Sequence, residues 1–192
     1  MKTVKILLVL SAVAFMGCTM SRSYAKPQES FLPYNKVAVI SFSNTKDAPT
    51  GQEAADIVAL EFTNHGFAVV ASSQLTALIE QGEIYTAGLT PDIKAKLKQS
   101  GIEAVVLGKI NEFHCSNTDT APTALTITRK NICTVTLTTQ MVDINSGEIL
   151  WGTTVADSQE GHGLTAKRVL ISLVKKIDSA IPNAPQKAPA KK

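Results

Sequence analysis

The stretch VTLTTQMVDINSGEILWG, residues 135–152, decides the fold. Thr136 and Thr138 alternate with Val135 and Leu137, the period of a strand with one face buried. Asp143 to Glu148 then break the pattern, with Asn145 and Gly147 suited to positive φ. Ile149, Leu150 and Trp151 open a new apolar run. Two strands joined by a tight turn pair antiparallel, and the whole of 123–157 reads as β structure. A second turn is expected at Arg129-Lys130-Asn131.

Upstream, the pattern changes. KVAVISF (36–42) is nearly continuous in β-branched and aromatic residues, as in a strand buried on both faces. GQEAADIVALEFTNHG (51–66) reads as a helix with Ala55, Val58, Ala59 and Phe62 on one stripe, ended by Gly66. Ile57 and Leu60 fall off that stripe, which predicts a wide buried face or a second contact. FAVVA (67–71) is a short strand, SQLTALIEQG (73–82) a helix behind a serine cap, and TPDIKAKLKQSG (90–101) a helix with Pro91 in its first turn. IEAVVLGKINEF (102–113) is a strand. In LTAKRVLISLVKKIDSAI (164–181), Ala166, Val169, Leu170, Leu173, Ile177 and Ile181 form an apolar face, and Lys167, Arg168, Lys175 and Lys176 lie opposite. The order β-α-β-α-α-β-β-β-β-α predicts an α/β protein with a mixed sheet flanked by helices: parallel pairing early, an antiparallel meander late.

The ends read differently from this body, 36–182. Lys2 and Lys5 precede an apolar run, Ile6 to Met16, that is too short to span a membrane, which takes ~20 residues. The pattern is that of a secretory signal peptide. Ser23-Tyr24-Ala25 suits one processing enzyme but lies well past the run. Phe15-Met16-Gly17-Cys18 sits at its end and resembles a bacterial lipobox, in which the cysteine is lipidated and becomes the first mature residue. Residues 1–17 then read as a lipoprotein signal peptide, Cys18 as the anchor and 18–35 as a polar tether. Thr19 is not the Asp of an inner-membrane retention signal, so the expected location is the periplasmic face of the outer membrane. The tail 183–192, rich in Pro, Ala and Lys, is expected to be disordered.

Charge and composition narrow the function classes. The formal charge is +3, and removing 1–17 takes Lys2 and Lys5 and no acid, leaving +3 − 2 = +1. That is no electrostatic footprint for nucleic acid. With Cys18 set aside, Cys115 and Cys133 remain as an even pair in an oxidising compartment. They are expected to bridge, a loop worth ~3 kcal/mol; the alternative is two reduced, half-buried strand cysteines. A zinc site would need ligands beyond His114. No catalytic residues, cofactor or small-molecule substrate are expected. Ser41 and Ser43 lack the glycines of a nucleophile elbow, and His65, His114 and His162 have no partner at metal-binding spacing. His65, before Gly66, suits a helix C-terminus. Trp151 is read either as core or as a binding aromatic.

KVAVISFSN, GFAVVASSQLTALIEQ, GIEAVVLGKINEF and VTLTTQMVDINSGEILWG, in that order, resemble the CsgG-like lipoproteins, the group of the curli secretion component, PelC and LpoB. The resemblance spans nearly all of 36–182. It implies an α/β sandwich used for assembly or partner binding rather than catalysis, with self-association or an envelope protein as partner. A self-made pore would need two membrane hairpins with strands of ~9–11 residues. Only 123–142 offers one, and its first arm is short, so it is expected to stay soluble. A PelC-like export accessory is the leading expectation. A monomeric LpoB-like regulator of envelope or peptidoglycan synthesis is the alternative, and a tether of ~60 Å is short for it.

Overall fold

Val37, Ala38, Val39 and Ile40 are all fully buried, which places their strand in the middle of a sheet covered on both sides. The computed structural model describes residues 20–44, 48–75, 89–123 and 126–185. Seven strands form one sheet: β1 (Met20–Ala25), β2 (Lys36–Val39), β3 (Ser43–Asn44), β4 (Ala68–Val70), β5 (Ala104–Thr123), β6 (Thr126–Asp143) and β7 (Ile149–Gly161). The lateral order is β1-β7-β6-β5-β2-β4, with β3 beside β5. β2 pairs parallel with β4 and β5, and β3 with β5. The β5–β6, β6–β7 and β1–β7 pairs are antiparallel. The mixed sheet flanked by helices is therefore as expected, parallel at one end and a meander at the other.

Among the described residues four α-helices, α1 (Ala48–Asn64), α2 (Ser72–Leu75), α3 (Pro91–Gln99) and α4 (Ala166–Asp178), cover the sheet unequally. On one face, α1 and α4 bury Val58, Phe62, Val169, Leu170 and Leu173 against Val106, Leu137, Met141 and Val155. Every residue assigned to the apolar face of α4 is buried. On α1 the buried face is wide: Ala54 joins the stripe and Ile57 packs against the core, while Leu60 stays exposed. Gly66, at φ +90°, turns the chain out of α1. On the other face, Leu75 of α2 and Ile93 and Leu97 of α3 cover Ala38, Ile40, Val105 and Val142. Thr90 caps α3 through Ile93 N–H at 3.4 Å. The rest of the 73–82 helix lies outside the described residues.

Three expectations need correction. Residues 18–35 are not a tether from Met20 onward: β1 pairs along its whole length with β7, Met20 opposite Ala156 through Ala25 opposite Trp151. Behind it, Phe31 and Tyr34 are buried in the main core. Likewise Arg129-Lys130-Asn131 make no turn. They continue β6, opposite Asp119, Thr118 and Asn117 of β5. The β5–β6 hairpin is thus longer than 123–142, and beyond Asn131, where β7 ends at Gly161, it runs on as a two-stranded ribbon. Pairing shifts between Thr120 and Thr123, where Pro122 has no N–H to give. The tail also folds farther than expected: Ala184 is buried and its N–H bonds His65 O at 2.9 Å.

The Asp143–Glu148 turn forms where it was read, and Asp143 holds it. Its Oδ1 accepts from Asn145 and Ser146 N–H, and Gly147 takes φ +76°. Tyr34 O–H donates to its other oxygen. Burial pushes the Asp143 carboxyl up, but these hydrogen bonds outweigh it and hold it below the usual range. Burial first, then the bond to Asp143, raises the Tyr34 hydroxyl well above its ordinary value.

Candidate functional site: the uncovered sheet face

The described parts of α2 and α3 lie over the parallel end, and the face of β5, β6, β7 and β1 opposite α1 and α4 carries no covering helix among the described residues. Side-chain alternation makes that face polar. Val135, Leu137 and Met141 point into the core, so Thr134, Thr136, Thr138 and Gln140 of β6 point outward. On β7 the outward set is Gly152, Thr154, Ala156 and Ser158. Hydroxyls link neighbouring strands: Thr138 Oγ1 lies 3.1 Å from Thr154 Oγ1, Thr134 Oγ1 lies 3.0 Å from Ser158 Oγ, and Asn111 Nδ2 donates to Thr138 Oγ1 at 2.8 Å.

The register aligns two rows across four strands. One runs Lys109, Thr138, Thr154, Arg22; the next runs Leu107, Gln140, Gly152, Tyr24. Gly152 presents no side chain, which leaves a shallow groove of about 330 Å³ bordered by Tyr24, Ile149, Gln140 and Arg22. A second of about 330 Å³ opens beside Lys109, Asn111 and Ser43 and shares Thr138 and Gln140 with the first. Tyr24 and Ile149 are 54% and 44% exposed, two of the four large exposed hydrophobics among the described residues.

The residues singled out in the sequence do not converge. Cys18 lies outside the described residues, two positions before β1. Cys115 and Cys133 face each other across β5 and β6 with Cα atoms 4.1 Å apart and are joined as a disulfide. Trp151 is fully buried, its Nε1 donating to Ala180 O at 2.5 Å and its ring edge-on to Phe62 at 5.5 Å. That settles it as core. His65 sits between Asp178 Oδ1 at 2.9 Å and Asn183 Oδ1 at 3.1 Å, tying the end of α1 to the end of α4. His114 stands exposed on β5, and His162 lies in the turn after β7. Among the described residues no three His, Cys, Asp or Glu side chains gather to hold a metal. No described helix is long and apolar enough to cross a membrane.

The basic face of α4 is more engaged than its spacing suggested. Lys167 pairs with Glu53 at 2.6 Å. Lys176 Nζ reaches the carboxylate of Asp157, 3% exposed, at 2.8 Å. Burial raises Asp157, but hydrogen bonds from Lys176 and Gln159 and the Lys176 charge overcome it and hold the carboxyl below its ordinary value. The sequence carried one sign of this, an acid at an inward-facing strand position.

No family model matches the chain, and no curated protein matches it. Solved structures do. The chain matches the PelC dodecamer from Paraburkholderia phytofirmans at 19% identity and TM-score 0.57, over 88% of its own length and 100% of that chain. It matches the lipoprotein GNA1162 from Neisseria meningitidis at 15% identity and TM-score 0.53, over 75% of its length and 98% of that chain. The LpoB C-terminal domain from Salmonella enterica, at 14% identity over 66% of this chain and 84% of that one, reaches a TM-score of 0.37, too low to carry an argument. The chain shares its fold with PelC and GNA1162. At these identities the likeness speaks to fold alone.

Proposed function

We propose that the protein is a non-enzymatic lipoprotein on the periplasmic face of the outer membrane, anchored by lipidated Cys18, that acts as an assembly or export accessory by associating with copies of itself or with an envelope protein. The observation that carries this reading is the shared fold with PelC, which accounts for the whole of that chain and 88% of this one. That relative is a dodecamer; this chain has the same scaffold and a strand that starts two residues after Cys18. The open, hydroxyl-lined sheet face suits surface recognition better than turnover, because its grooves are shallow and enclose no convergent acid, base and nucleophile.

Two measurements test it. Wild type should mature with an acylated Cys18 and take up labelled palmitate, and Cys18→Ala should accumulate as precursor. The chain from residue 19 onward, sized by light scattering, should form a uniform particle of several subunits. A monomer at all concentrations would remove the PelC-like self-association, and normal maturation after Ala25 would remove the anchor.

A further inference from the structure

The chain leaves the proposed anchor without slack. Cys18 precedes Met20 by two residues, a span of at most ~7 Å, and β1 is already paired with β7 from Met20 onward. A domain held this close to a bilayer must turn some surface toward it. β1 is the edge of the sheet, and its outward residues Arg22 and Tyr24 belong to the uncovered face described above.

The cations and hydroxyls of that face complement a phospholipid headgroup layer. The row Lys109, Thr138, Thr154, Arg22 places a cation at each end, three strand spacings or ~14 Å apart, with two hydroxyls between. Both cations are exposed, and neither forms an ion pair or side-chain hydrogen bond among the described residues. The adjoining groove presents Tyr24 and Ile149, an aromatic with a polar tip beside an aliphatic, the pairing favoured where apolar chains meet water. The face also carries one acid, Glu112 in the next row, whose carboxylate accepts from Thr136 Oγ1 at 3.4 Å, while Lys26 and Glu148, close in sequence to Tyr24 and Ile149, neutralise each other in an ion pair. By contrast Leu60, the exposed hydrophobic of α1, lies across the sheet on the helix-covered side.

We propose that this sheet face, through Arg22, Lys109, Tyr24 and Ile149, lies on the anionic phospholipid surface to which Cys18 ties the chain. The proposal rests on the anchor reading above, and its test separates the two. Lipidated Tyr24→Trp and Leu60→Trp are each reconstituted into vesicles containing brominated phosphatidylglycerol. The emission added by Trp at 24 should be quenched, and that added at 60 should not; buried Trp151 supplies the same background in both. The chain from residue 19 retains every buried residue, from Phe31 to Ala184, so it can be used without its lipid. It should bind phosphatidylglycerol vesicles over phosphatidylcholine ones, and Arg22→Gln and Lys109→Gln should each weaken that binding about fivefold. Quenching at 60 but not 24, quenching at neither, or unchanged vesicle binding in both charge variants overturns the proposal. A mature N-terminus without acyl mass would instead refute the anchor, and the lipid-free measurements then decide the face alone.

Discussion

Lys176→Met should destabilise the domain strongly, although Lys176 stands on a face that reads as solvated. Its partner Asp157 is 3% exposed and points into the core side of β7, while the Lys176 side chain is 37% exposed. Removing the ammonium leaves a buried carboxylate with Gln159 as its remaining side-chain partner, 2.7 Å away. Breaking a fully buried pair costs about 3–5 kcal/mol. Partial exposure of the lysine and the surviving amide bond reduce that to about 2–3 kcal/mol here. For a domain of this size the loss corresponds to about 5–10 °C in Tm. Lys175→Met, one residue away with no such partner, should stay within about 0.5 kcal/mol. The pH dependence is specific. Asp157 has a lowered folded pKa, so its pairing stabilises the protein above the unfolded carboxylate value, about 3.9, and the contribution is lost as pH falls through the folded value. The gap between Lys176→Met and wild type should therefore be full at neutral pH and close at low pH. Urea melts of wild type and both variants across pH 7 to about 3 measure it. Equal effects of the two lysine variants, or a gap that does not change with pH, would refute the reasoning.

Leu173→Ala should cost about 2–5 kcal/mol in the same melts, as the truncation of a fully buried side chain between α4 and the sheet; a loss under about 1 kcal/mol would mean the site collapses without a cavity. Tyr34→Phe should cost about 1–3 kcal/mol by depriving buried Asp143 of a donor, and the Asp143 carboxyl, followed by carbon-detected NMR titration, should titrate higher than in wild type. Mass spectrometry of unreduced protein should find the Cys115 and Cys133 peptides linked, and reduction should lower stability by about 3 kcal/mol, the value for closing a loop of this length.

Elements with a buried face were legible because burial writes a period into the residues. β2, α1, α3, α4 and the Asp143 turn lie close to where their patterns put them. β1 was illegible for a physical reason: it is an edge strand with Ser21, Ser23 and Ala25 toward the core side, small residues that leave no alternation of apolar and polar. The ribbon beyond Asn131 has no third strand beside it among the described residues, so Arg129-Lys130-Asn131 resembled a turn. The cysteine pair could be singled out from count, and Cys18, the proposed anchor, from motif. The two cross-strand rows could not, since Arg22, Lys109, Thr138 and Thr154 meet only through a register that no single segment contains.

The pairing of β1 with β7 also orders events in time. Met20 meets Ala156, about 140 residues later in the chain, whereas β6 and β7 close over a turn of a few residues. Closing the longer loop costs roughly 3 kcal/mol more in chain entropy, so β1 is the strand expected to dock last. A protein exported from its N-terminus onward would expose residues 20–25 well before β7 exists to receive them. If Cys18 is the lipidated residue proposed above, the enzymes that modify it would meet residues 20–25 still unpaired, and the final docking of β1 would draw the folded body up against the anchor.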